Sequence, residues 1–94
     1  MLIRIVKMTF NENKITQFLK VFEESKPKIR AFEGCKNLEL WRDKNATNVY
    51  FTYSWWQDET YLQRYRTSEL FAITWAKTKV LFAAKPEAWS VEQL

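Results

Sequence analysis

Ninety-four residues suit one compact domain, and a domain of that size hides only roughly 60–65 % of the surface its unfolded chain exposes. Hydrophobic residues nevertheless make up 47 % of the chain and aromatics 17 %, with five tryptophans, so part of this apolar surface is expected to meet a ligand or a partner subunit. The net charge of +4 comes from basic residues dispersed among eleven carboxylates, a solvated surface and not a nucleic-acid patch, and no apolar run reaches the ~20 residues of a membrane span, so neither nucleic acid nor a membrane is expected as a partner.

Leu2 to Thr9 alternates and is rich in β-branched residues, which predicts a strand with Leu2, Arg4, Val6 and Met8 on one face and Ile3, Ile5, Lys7 and Thr9 on the other. Arg4 and Lys7 lie inside this apolar stretch instead of ahead of it, so it is not read as a secretory signal. The charge of Arg4 must be paired or solvated, with Glu39 or Glu92 as expected partners. Asn11 is a favoured N-cap, and Ile15 falls where a hydrophobic staple would close against Phe10. Ile15, Phe18, Leu19 and Phe22 then mark the buried face of a helix. Pro27 predicts that this helix ends or kinks near Ser25 and Lys26, with room for another turn carrying Ile29 and Phe32. Gly34, the only glycine, is expected as a positive-φ turn residue.

Cys35, the only cysteine, rules out an internal disulfide and fits a reducing cytoplasm. With no histidine in the chain, the usual zinc, copper and mononuclear iron ligand sets are not expected, and Cys35 has no activating base and is read as a buried apolar residue. Lys36 to Arg42 alternates again, with Leu38 and Leu40 opposite Asn37, Glu39 and Trp41. A polar turn, DKNAT, separates it from a third strand over Asn48 to Trp55, and the two should pair as a hairpin. In the third strand Val49, Phe51, Tyr53 and Trp55 share one side and Tyr50, Thr52, Ser54 and Trp56 the other, so both faces need cover.

Gln57, Asp58 and Glu59 suit a helix N-terminus. Tyr61, Leu62 and Tyr65 give about two amphipathic turns, after which Thr67 and Ser68 offer a second N-cap. Phe71, Trp75, Thr78 and Phe82 form the inward stripe of a longer helix, widened by Leu70, Ile73 and Leu81. Pro86 is expected to stop it, and Ala88 to Leu94 to form a last short strand.

The order β, α, β, β, α, β is the ferredoxin-like split βαβ arrangement of the α+β class, an antiparallel sheet with helices on one face. Residues 1–94 are read as a single domain. The other sheet face is still apolar, and the economical cover is a homodimer in which two sheets close face to face.

Several short motifs resemble the antibiotic-biosynthesis monooxygenase (ABM) domain, a dimeric α+β barrel. They are Gly34-Cys35 entering a strand, the polar turn at 43–47, the strand ending in Trp56, Gln57-Asp58-Glu59, Tyr65, Thr67-Ser68 and Phe71. The resemblance spans nearly the whole chain in length and element order. It implies oxygenation of a small electron-rich aromatic, quinol or polyketide-like, with no metal or flavin cofactor. Several relatives carry histidine where this chain has Tyr65, nine residues after the tryptophan, and glutamate where it has Ser54. In haem-degrading relatives an asparagine, a tryptophan and a histidine hold the haem; the corresponding positions here are Val6, Tyr65 and Trp75, and with no histidine that arrangement is not expected.

The resemblance thus implies a pocket between sheet and helices, with Tyr65 and Trp75 as catalytic candidates, and Arg4, Val6, Met8, Phe22, Arg64 and Phe71 around the substrate. Tyr65 would donate a hydrogen bond, and Arg4 or Arg64 would stabilise a phenolate. Each aromatic also has a plain packing role, and Trp41 and Trp55 fall on the face expected to form the dimer. The competing reading is a non-catalytic ligand-binding or structural dimer, favoured by the missing histidine. RNA-recognition domains share the strand order, but NVYFTYSWW lacks their basic, glycine-rich signature.

Overall fold

The computed structural model describes residues 1–94. Strands β1 (Leu2–Thr9), β2 (Cys35–Arg42), β3 (Val49–Trp56) and β4 (Glu87–Glu92) form one antiparallel sheet in the order β2-β3-β1-β4. Helices α1 (Ile15–Arg30), α2 (Glu59–Arg66) and α3 (Glu69–Lys79) cover one face. This is the ferredoxin-like α+β arrangement that the element order predicts. No helix is long and apolar enough to cross a membrane.

Several details depart from the sequence reading. Asn11 does not cap with its side chain; its amide donates to the Phe82 carbonyl, and a 3₁₀ turn over Glu12–Lys14 leads into α1 instead. Ile15 does join the cluster that holds Phe10. Pro27 neither ends the helix nor confines it, because α1 runs on to Arg30. Proline forfeits its bond to the carbonyl four residues back, but Pro27 and Glu23 both lie on the exposed side of α1, away from the core, and the helix continues through them. At the other end α3 stops at Lys79, well before Pro86, and Phe82 leaves the helix to bridge Phe10. Ile73 is exposed and lies outside the inward stripe.

Gly34 is needed twice over. Its φ of +87° is costly for a residue with a side chain, and an added Cβ would stand 2.3 Å from Cβ of Tyr61. The Gly34 carbonyl also accepts from the Gln57 N–H at 2.8 Å, tying the β2 entry to the start of α2. Asp58 and Ser68 cap α2 and α3, their side chains accepting from the Tyr61 and Phe71 amides. Ser68 Oγ in turn donates to the Tyr65 carbonyl at 2.6 Å, which fixes the break between the two helices.

The helix-facing side of β3 reads Tyr50, Thr52, Ser54, Trp56: large, small, small, large. The core follows this pattern and divides. One cluster gathers Met8, Phe10, Phe18, Tyr50 and Leu81; the other gathers Cys35, Trp56 and Leu62 with Phe32 and Tyr65 against them. Phe10 and Trp56 are 0 % and 1 % exposed and anchor the two ends. Burying one such ring contributes about 1.5–3 kcal/mol. Phe10 stacks on Phe18 with centroids 4.0 Å apart, and the Trp56 indole is satisfied by Ser54 Oγ at 3.0 Å.

The far side of the sheet has no cover. Trp41 and Trp89 remain 44 % and 45 % exposed there, Trp41 stacks on Tyr53 at 4.4 Å, and the buried Trp55 Nε1 has no acceptor. The N-terminal and C-terminal parts of the chain are also tied together. Ala83 N–H donates to the Thr9 carbonyl at 2.8 Å, Asn11 N–H to the Leu81 carbonyl at 3.1 Å, and β4 lies along β1.

Candidate functional site

Between the two core clusters, above the small residues Thr52 and Ser54, lies a cavity of about 310 Å³, at the lower end of the range for small-molecule sites. Its floor is the sheet, with Arg4, Val6 and Met8 of β1 beside Thr52 and Ser54 of β3; α1 closes one side with Phe22 and Ser25. The roof comes from the broken helix, through Tyr65 and Arg66 at the end of α2 and Phe71 and Trp75 in α3.

The roof is a chain of ring contacts. Tyr65 stacks on Trp56 at 5.0 Å and meets Phe32 and Phe71 edge-on at 5.5 and 5.2 Å. Phe71 lies parallel to Trp75 at 5.8 Å, and Trp75 meets Phe82 edge-on at 5.5 Å. Each such pair adds about 0.5–1.5 kcal/mol beyond area burial, so the wall is stiff and presents flat faces.

Polar groups are few. Burial, and then the nearby Cys35, push the Tyr65 phenol above its ordinary value, so near neutral pH it is a neutral hydroxyl that donates and does not act as a base. The Arg4 guanidinium is pulled below the ordinary arginine value by burial and then by Arg66, with Glu59 opposing. Its hydrogen-bond partner is Ser90 Oγ at 3.0 Å, neither of the acids expected from the sequence. Glu39 faces the opposite side of the sheet, where it accepts from Asn37 and Trp41, and Glu92 pairs across from Leu2. Glu87 borders the cavity, yet its carboxylate lies 3.7 Å from Lys7 Nζ on that same opposite side.

Of the residues singled out from the sequence, Tyr65, Trp75, Arg4, Val6, Met8, Phe22 and Phe71 line the cavity. Arg64 does not. It is exposed, with its guanidinium 5.2 Å from the Tyr61 ring centroid, and Arg66 stands in its place. The helix period explains the difference: Leu62 is the buried anchor of α2, Arg66 is four residues on and shares its face, and Arg64 is two on and turns away. The pattern was present in the sequence, as was the run of small residues at Thr52 and Ser54 that leaves the cavity open. Cys35, buried and with its thiol raised chiefly by burial, packs beside Trp56 outside the lining.

The model of the antibiotic biosynthesis monooxygenase family matches residues 1–75. No curated protein matches the chain in sequence. Among solved structures, an antibiotic biosynthesis monooxygenase superposes with a TM-score of 0.93 at 17 % identity, over 100 % of this chain and 99 % of its own. A conserved protein from Methanosarcina mazei Go1 gives 0.92 at 17 % identity, over 99 % of this chain and 93 % of its own. A protein from Caulobacter crescentus CB15, named provisionally as an antibiotic biosynthesis monooxygenase, gives 0.93 at 19 % identity, over 99 % and 89 %. At these identities the likeness is one of fold.

Proposed function

The chain belongs to the antibiotic biosynthesis monooxygenase family, and on that premise we propose that residues 1–94 act as one domain, a homodimeric monooxygenase of a small phenolic aromatic that uses dioxygen without metal or flavin. The observation that carries this is the cavity of about 310 Å³, with stacked aromatic walls and a neutral tyrosine beside two guanidiniums. Its volume suits a ligand of one or two rings.

In this reaction the phenol loses its proton to solvent through the open side of the cavity. The phenolate, stabilised by Arg4 and Arg66, gives one electron to dioxygen, and the ring radical and superoxide recombine to form a carbon–oxygen bond. A proton is taken up by the outer peroxide oxygen, the O–O bond breaks, and the ring C–H proton leaves. The ring carbon becomes a carbonyl, one oxygen atom enters the quinone, and the other departs as water. Tyr65 donates a hydrogen bond to the developing oxyanion. Trp75 and Phe71 hold the ring flat, with Val6, Met8 and Phe22 excluding water beneath it.

The dimer is supported by the uncovered outer face of the sheet and by the Trp55 indole, buried there without an acceptor. A cytoplasmic setting suits the free thiol of Cys35.

The test is oxygen consumption with a panel of one-ring hydroquinones, naphthols and naphthohydroquinones, for the native protein and for Tyr65→Phe and Arg4→Gln. Uptake well above autoxidation, reduced in both variants, is expected. No uptake across the panel removes the oxygenase reading. It would leave the second one, a non-catalytic ligand-binding dimer, which the cavity's lack of a side-chain base favours: Glu87 turns its carboxylate to Lys7, and the chain has no histidine.

A further inference from the structure

Arg4, from the middle of the sheet, and Arg66, from the last turn of α2, border the same cavity, and no carboxylate side chain enters it. The one ion pair in the molecule joins Lys7 to Glu87 on the other sheet face. Glu59, the acid whose charge reaches Arg4, accepts from Gln63 at 2.7 Å on the exposed side of α2. A guanidinium has five N–H donors in a planar fork; Arg4 uses one on Ser90, and Arg66 makes no side-chain hydrogen bond within the protein. Two like charges beside one largely apolar cavity oppose each other, and the depression of Arg4 by Arg66, second to that by burial, agrees with that opposition.

We propose that the ligand of this cavity is an aromatic acid, its ring held between the aromatic roof and the sheet and its carboxylate set between Arg4 and Arg66. This rests on the reading of the cavity as the substrate site and narrows it: a hydroxylated aromatic acid is taken in preference to a neutral quinol. A carboxylate accepts from both forks and cancels the repulsion, and the planar fork of arginine matches its two oxygens. Tyr65 then meets the phenol hydroxyl, and the one positive charge that the carboxylate leaves uncancelled on the two arginines still stabilises its phenolate. The lower-end volume limits the ring system to one or two rings, since the acid group also occupies space.

Calorimetric titration of the native protein with 1-hydroxy-2-naphthoate and with the matching neutral amide, 1-hydroxy-2-naphthamide, tests this at low salt. The acid is expected to bind about tenfold or more tightly than the amide, and the ratio to fall to within about twofold in Arg66→Gln. Arg4→Gln should have the same effect; Arg66 lies on the exposed end of α2, so its variant carries the test if the β1 variant fails to fold. Equal binding of acid and amide, a ratio unchanged in Arg66→Gln, or no binding of either overturns the proposal. The outcome is separable from catalysis. A protein that prefers the acid but consumes no oxygen keeps the ligand class and loses the oxygenase. One that oxidises neutral hydroquinones as fast as their acids keeps the oxygenase and loses the ligand class.

Discussion

Replacing Gly34 by alanine should remove a large part of the domain's stability through two separable effects. The residue sits at φ +87°, and a left-handed conformation costs an L-residue about 1–2 kcal/mol. The new Cβ would also stand 2.3 Å from Cβ and 2.4 Å from Cγ of Tyr61. Both neighbours are anchored, Tyr61 by its position in the first turn of α2 and Gly34 by the Gln57 bond, so the helix itself must shift. Overpacking of this kind costs about 1–3 kcal/mol. The sum, about 2–5 kcal/mol, is set against the roughly 5–14 kcal/mol expected for a domain of this length. Urea unfolding followed by tryptophan fluorescence reads the loss directly. In a Tyr61→Gly background the contact is gone, and the same substitution should cost only the ~1–2 kcal/mol of backbone strain. A loss below about 1 kcal/mol, or an equal loss in both backgrounds, would refute the account of why glycine is required here.

Other outcomes follow from the charges and faces described. The folded-state pKa of Tyr65 lies above its unfolded value, so folding stability should be level up to pH ~10 and decline as pH rises past it, where only the unfolded chain releases the proton. Unfolding free energies in the alkaline range should show this decline reduced in Tyr65→Phe; an unchanged slope would contradict the buried, neutral phenol. Cys35, with its thiol buried and raised, should resist iodoacetamide near neutral pH in the folded protein and react readily in urea; equal rates in both would contradict its burial. Trp55→Glu should convert a dimer to a folded monomer in sedimentation equilibrium. A native protein that sediments as a monomer would refute the face-to-face pairing of two sheets.

Alternation and helix period were enough to read the strands, the split helix and the ferredoxin-like order, because each rests on local pattern. Leu2 to Thr9 and the caps at Asp58 and Ser68 are of this kind. What escaped depends on neighbours distant in sequence. Pro27 carries no sign that α1 will continue through it, and Asn11 gives none that Phe82 will claim its amide. The cavity residues legible beforehand, such as Tyr65, Trp75 and Phe71, follow from the family resemblance, whereas the face of Leu62 selects Arg66 and turns Arg64 away. The partner of Arg4 could not be chosen by charge, since the sheet register brings Ser90 to it and turns Glu39 away.

The joining of β4 to β1 has a consequence in time. Arg4 and Ser90 are 86 residues apart, and the bridges that seat Phe82 against Phe10 span nearly as far. During synthesis the β2–β3 hairpin and the helix α1 can form as they emerge, but the floor strand of the cavity stays an open edge until the final strand arrives. Pairings of such long reach are slow to form. A nascent chain would therefore carry Arg4 on a floor of paired β1 and β3, and close the aromatic roof over it, before Ser90 arrives to fix the guanidinium.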